Sequence, residues 1–261
     1  MPKATPMIPA APTTMATEPF ATATATAPAT ASASATARLR LYQLISPALP
    51  VGAFSYSEGL EVLVQAGQLS DGAAVAAWLQ GELRRGLLGV EAAALPRLMA
   101  ALQREPIDRD TIVGLDGWLL AQREAAEVRA QQRQMGGSLL QLLEDLGWPL
   151  PAGLAEAGPR RPGLGWPVAF AWAGVSLGLP ELELVEAYLY GWTATQLSAA
   201  VRLVPLGPTE AQRHQLQLAA LIAERALELA NANPHDLWSG GVGASLAQLG
   251  HGELYSRLFR S

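Results

Sequence analysis

The 261-residue chain contains no cysteine. That removes disulfides, zinc–cysteine centres and thiol nucleophiles from consideration, and it fits a cytoplasmic setting. Its only lysine is Lys3. A P-loop needs a lysine behind its glycine-rich turn to reach the β- and γ-phosphates, so the chain is not itself a P-loop NTPase. Schiff-base and kinase-type lysine chemistry fall with it. Histidine is scarce: His214, His235 and His251 are the whole supply. None has another histidine at i+3 or i+4, where a helix would pair metal ligands. Charge is thin too, at 16% of residues, and the formal net charge of −5 lacks the basic footprint of a nucleic-acid binder. What the chain does have is apolar material, half of its residues, ample for a large core.

Residues 1–37 are almost entirely Ala, Thr, Pro and Ser. Such a stretch cannot bury enough surface to offset its ordering entropy, so it is expected to be a disordered tail. It has neither the apolar run of a signal peptide nor the arginines of a presequence. From Arg38 onward the apolar spacing is helical and no alternating strand pattern occurs. This predicts an all-α protein, with residues 38–261 forming a single globular domain of about eight to ten helices. Asp71 is placed to cap a helix carrying Val75, Leu79 and Leu83. Asp108 opens a long helical stretch to Leu143, which Gly136-Gly137 is expected to break or kink. A Pro/Gly-rich loop spans 147–167, and Pro167 suits the first turn of the next helix. Helices over about 167–178 and 181–203 follow. Thr209 with Gln212 has capping-box spacing for a helix ending near Ala230, and Asn233-Pro234 marks another start. Residues 162–180 carry no charge and approach membrane-spanning length. They also hold prolines at 162, 167 and 180, which favours a shorter, buried core helix.

Few residues suggest chemistry. His251 with Glu253 is the one local pair that could touch a metal, and it reads better as a solvated terminal histidine. Gly240-Gly241-Val242-Gly243 has no strand before it, so it is a joint and not a nucleotide loop. Ser55 and Ser57 could tempt a serine-hydrolase reading, but G-x-S-x-G is absent and no base is marked nearby. Ser55 and Glu58 have the S-x-x-E spacing of a capping box, which predicts a helix start near Tyr56. Arg123-Glu124 and Arg129 to Gly136 form a polar helical face that could be solvated or could serve recognition.

Two segments carry more constraint than loops or termini need. Ser46-Pro-Ala-Leu-Pro-Val-Gly-Ala-Phe-Ser-Tyr-Ser-Glu-Gly-Leu-Glu61 packs prolines, glycines and aromatics between apolar runs. Pro50, Gly52 and Gly59 are its shape-setting positions. Tyr255-Ser-Arg-Leu-Phe-Arg-Ser261 places interface-type residues where chain ends normally fray. The second segment either docks back on its own core or is an unsatisfied peptide awaiting a partner, and the second is the expectation.

Together with 123–140 (Arg123-Glu-Ala-Ala-Glu-Val-Arg-Ala-Gln-Gln-Arg-Gln-Met-Gly-Gly-Ser-Leu-Leu140) and 200–207 (Ala200-Val-Arg-Leu-Val-Pro-Leu-Gly207), these blocks resemble, in family order, the urease accessory protein UreF family. The resemblance spans about residues 39–261. It implies an all-α, homodimeric adaptor that is not an enzyme and holds no cofactor. It implies binding to the scaffold protein UreD (also called UreH), recruitment of the GTPase UreG, and GTP-dependent nickel insertion into apo-urease in the cytoplasm, with no nucleic acid and no membrane involved. The family's C-terminal segment orders on binding the scaffold, which assigns scaffold contact to Tyr255, Arg257, Leu258, Phe259 and Arg260. GTPase recruitment falls on Phe54, Tyr56, Ser57 and Glu58, and interface shaping near the dimer on Arg202, Pro205 and Gly207. The chain departs from the family pattern at Phe54, often tyrosine, at Trp166, often histidine, and at Pro208, often glutamine. The competing reading is a small α-helical serine hydrolase using Ser55 or Ser57.

Overall fold

A computed structural model describes residues 29–155 and 163–261 of the chain. The described residues form eleven α-helices: α1 (Ala29–Leu44), α2 (Leu60–Gln65), α3 (Gly72–Arg85), α4 (Leu87–Leu102), α5 (Arg109–Ala121), α6 (Ala126–Asp145), α7 (Ala152–Ala155), α8 (Trp166–Leu177), α9 (Glu181–Leu203), α10 (Pro208–Ala230) and α11 (Val242–Gly250). Single 3₁₀ turns lie at Ala53–Ser55, Pro234–Asp236 and His251–Glu253, and no strand occurs among the described residues. The all-α expectation is met. Helix α1 begins inside the stretch assigned to the tail, whose residues 1–28 lie outside the described part, as do 156–162 of the predicted loop.

Helices α4 and α8 make the centre. Thirteen of the sixteen residues of α4 are buried, and α4 packs on α3, α5, α8, α9 and α10. Helix α8 takes Pro167 in its first turn and ends at Gly178 in the left-handed conformation. It is too short and too enclosed to span a bilayer, and no helix among the described residues is long and apolar enough to do so. Helices α9 and α10 form a long antiparallel pair whose buried faces, Leu184, Leu189 and Leu197 against Leu218, Ile222 and Leu229, close the core.

Caps decide where helices begin, and three expectations need correction. Asp71 does accept from the Ala74 amide at 2.8 Å, and Asp108 accepts from Thr111 N at 3.1 Å. The stretch from Asp108, however, breaks at Gln122–Ala125 and not at Gly136-Gly137. Arg129 closes that break by donating to the carbonyls of Arg123 and, at 2.7 Å, Glu124, which leaves Arg123 free to turn inward. Gly136 sits mid-helix because a Cβ there would lie 2.5 Å from Leu164 O; it allows close packing and not a kink. Nor does Thr209 cap α10. Gly207 occupies that place, with no side-chain cap, and Pro208 fills the first helical position. Helix α2 begins at Leu60, not Tyr56, because Glu58 (φ 51°) and Gly59 (φ 88°) are both left-handed; the Ser55–Glu58 capping box does not form.

Asp116 on α5 offers a pH-dependent handle. Its Oδ1 accepts from Gly165 N at 2.8 Å and so pins the start of α8. Burial raises its pKa to about 6, against the pull of the Gly165 amide and Arg133. The folded state therefore holds this proton more tightly than the unfolded chain, where a value near 3.8 applies. The resulting stability is present below about pH 4 and lost as pH rises towards 6. Asp116→Asn keeps the acceptor and removes the charge. It should stabilise the fold on the order of 2 kcal/mol at pH 8 and be neutral near pH 4, as read from urea midpoints at the two pH values.

Candidate functional site

The first block, 46–61, and the last seven residues come together. Tyr255–Ser261 docks on the chain's own surface: Arg260 N donates to Ser55 O at 2.8 Å, and Ser261 O accepts from Ser57 N, Glu58 N and Ser57 Oγ at 2.9, 3.1 and 2.7 Å. Glu61 receives the amides of Leu258 and Phe259 at 2.7 and 3.1 Å. Phe259 is only 4% exposed, and the Arg202 guanidinium lies 4.2 Å from its ring centroid while donating to Phe54 O at 2.8 Å. The tail is thus not an unsatisfied peptide: extended backbone amides find carboxylate and carbonyl acceptors in the 55–61 turn, and one aromatic ring finds the core. That correction divides the tail's residues. Phe259 and Ser261 face inward; Tyr255, Arg257, Leu258 and Arg260 face solvent.

Glu58 is the hub of the turn. A non-glycine residue in the left-handed region costs about 1 kcal/mol, and its surroundings over-determine it. Its carboxylate accepts from Gln131 Nε2 at 2.8 Å and Trp192 Nε1 at 3.1 Å, and lies 3.8 Å from Arg123. Its carbonyl accepts from Gln248 Nε2 at 3.3 Å. Gly59 follows because α11 presses on it: a Cβ there would lie 2.9 Å from Gln248 N. Arg123, at the α5–α6 break, is buried and donates to Glu91 at 2.6–2.8 Å, and Tyr188 donates to Glu91 Oε2 at 2.9 Å. Burial opposes the charge on Arg123, but Glu91 and Glu58 outweigh it and hold the guanidinium firmly protonated. Burial raises the pKa of Glu91 against the pull of Arg123, and burial with the Glu91 charge raises that of Tyr188. The polar face over 123–136 is therefore divided: Arg123, Gln131 and Gln132 are buried, while Glu124 and Gln134 are exposed.

The hydrolase reading finds no machinery here. Ser57 is buried and its hydroxyl is spent on Ser261 O. Ser55 serves through its carbonyl, and among the described residues no histidine bonds either hydroxyl. His251 is not solvated, as its terminal position suggested, but fully buried against Glu127. Glu253 points away into solvent, and no group of three metal-binding side chains occurs among the described residues. Pro205 and Gly207 are exposed at the α9–α10 turn, as is Pro50, while Gly52 takes the left-handed φ of 74°.

Helix α11 starts within the Gly240–Gly243 joint and is not marked by any motif in the sequence. Its small residues Ala244 and Ala247 are buried, and its large ones, Val242, Leu246 and Leu249, are exposed. Spacing of i, i+4 and i+7 puts the three on one face. An ordinary surface helix shows the reverse arrangement, so this one is inverted. Trp238, 93% exposed, precedes it, and Tyr255, fully exposed, and Leu258 follow it. Large apolar side chains gathered on one exposed element mark an interaction surface. The signal was present at 242–249 as helical spacing, but spacing cannot say which face is turned outward.

Comparison with known proteins bears on residues across this fold. The UreF family model matches residues 69–219. A urease accessory protein UreF from Alkalilimnicola ehrlichii is 43% identical over 224 residues, covering 85% of this chain and 95% of that protein. One from Prochlorococcus marinus subsp. pastoris is 38% identical over 226 residues, covering 84% and 96%. One from Synechocystis sp. is 36% identical over 230 residues, covering 85% and 97%.

Proposed function

The chain belongs to the UreF family of urease accessory proteins, and we propose that it works in urease maturation as a helical adaptor between the scaffold UreD (UreH) and the GTPase UreG. In this reading the assembly, built on a homodimer of this chain in the cytoplasm, engages apo-urease and supports GTP-dependent nickel insertion, with nickel as cargo and not as a resident cofactor. The chain is an accessory protein and not an enzyme. Its lack of a P-loop lysine fits a division of labour in which GTP chemistry lies in a partner.

The observation that carries the reading is the apolar end formed by α11 and the outward residues of the tail. It offers exposed Trp, Leu, Val and Tyr side chains of the kind that anchor interfaces, and it supports assigning scaffold contact to Tyr255, Arg257, Leu258 and Arg260. Phe259 belongs to the same assignment indirectly, since its burial holds the others in place. Exposed Phe54 beside the buried Tyr56–Glu58 turn supports the GTPase-facing assignment. Arg202 links Phe54 to Phe259, so the two surfaces share a support.

Deleting the tail is a poor test, because it would also strip Ser57 and Glu61 of their partners. The Tyr255→Ala/Leu258→Asp pair alters only exposed side chains. With the intact chain, co-purification with cognate UreD and UreG should yield a ternary complex. The paired variant should lose UreD at unchanged helicity and melting temperature. A variant that still binds UreD would move the scaffold surface elsewhere, and no complex with the intact chain would overturn the adaptor reading.

A further inference from the structure

A cavity of about 390 Å³ lies between the first block, α6, α8 and α9, within the size range of small-ligand sites. Leu44, Leu49, Val51 and Met135 give it apolar wall. Trp166, Phe170 and Tyr188 add an aromatic run, with successive ring centroids 5.3 and 5.2 Å apart. Two buried amides also line it. Gln132 on α6 is 4% exposed and Gln196 on α9 is 1% exposed, and the Oε1 of each accepts from no donor among the described residues. A buried acceptor without a donor has lost its hydration and gained no replacement. Several donors on the same wall are already committed. Tyr188 donates to Glu91, Trp192 Nε1 and Gln131 Nε2 donate to Glu58, and Thr195 Oγ1 donates to Gly191 O. The wall also sets two carboxylates, Glu58 and Glu91, against the single guanidinium of Arg123. Formally, negative charge is in excess.

We propose that this cavity binds a small organic cation: an aliphatic stem ending in an ammonium or guanidinium head. Each feature of the wall selects for that class. Such a head donates and does not accept, so it suits the two oxygens that lack a donor. Its charge answers the excess of carboxylate, and the aromatic rings attract a cation placed over their faces. Its stem is covered by the leucine, valine and methionine side chains. An anion would meet the same oxygens and carboxylates with repulsion. A neutral apolar molecule would fill the space and leave both amides unpaired. Phe54, 70% exposed, lines the cavity as well, so the bound cation would lie beside the surface that the adaptor reading gives to the GTPase. The binding itself does not depend on that reading.

The test uses the full chain without partners, so it stands or falls separately from the adaptor reading. Isothermal titration calorimetry at neutral pH would compare hexylammonium and butylguanidinium with 1-hexanol and hexanoate. Tryptophan emission would report in parallel, since Trp166 and Trp192 line the cavity. At least one of the two cations should bind once per chain with a Kd of about 1 mM or tighter. Hexanol and hexanoate should bind about tenfold more weakly or not at all. Gln196→Leu keeps the volume and removes an unpaired amide, so it should fold at an unchanged or higher melting temperature and lose about tenfold in cation affinity. Ala194→Phe, at a half-buried lining position, fills the space and should block binding. A cavity that holds water only would show no cation binding up to roughly 10 mM and would overturn the inference. So would hexanol binding as tightly as the cations, hexanoate binding in preference to them, or cation affinity unchanged in either variant.

Discussion

Arg123→Met should cost about 3–5 kcal/mol of folding stability, the penalty for removing one partner from a buried charge network. Arg123 is 5% exposed and is the cation set between Glu91, 2% exposed, and Glu58, 7% exposed. Methionine fills much of the arginine's volume, so packing loss is minor, and the loss comes from two carboxylates left without their counter-charge. It should be largest at pH 8 and shrink towards pH 5, because carboxylates without a cation escape their penalty by taking protons. Adding Glu91→Gln to Arg123→Met should restore part of the stability. Urea unfolding at both pH values measures all of this; a single variant within about 1 kcal/mol of wild type would show that the network is not structural.

On the adaptor reading, Leu246→Asp should leave the fold intact and sharply weaken scaffold binding. Leu246 is 63% exposed at the middle of the outward face of α11, and the helix is held by Ala244, Ala247 and Gln248 on the other side. A surface substitution of this kind ordinarily changes stability by about 0.5 kcal/mol or less. A carboxylate at the centre of an apolar interface must be desolvated without a partner. Affinity for UreD should therefore fall by about 100-fold or more, a loss near 3 kcal/mol. Surface plasmon resonance against immobilised UreD, with circular dichroism as control, separates the two effects. Undiminished affinity would remove α11 from the interface.

Much of the fold was legible because it rests on local rules. Asp71 and Asp108 have carboxylates three residues ahead of the amides they cap, and Pro167 falls in the first turn of α8, where amide hydrogens have no partner within the helix. Glu58 departs from the expected capping box for the same reason in reverse. Its spacing from Ser55 satisfies a capping box, but its carboxylate is drawn to Gln131, Trp192 and Arg123, at sequence distances of 65 residues or more. No window of local sequence contains that competition.

Residue identities alone settle the exclusions, since a chain without cysteine and with one lysine cannot supply the chemistries that need them. They also settle helical class and the family, because apolar spacing and the order of motif blocks are written along one dimension. Burial is different. Whether the tail docks or stays open, whether His251 meets water or two carboxylates, and which side of α11 faces outward all depend on what α2 and α6 bring from about 120 to 200 positions away. The energy of each choice is a desolvation balance between distant groups, and such a balance exists only once the chain has folded and brought them together.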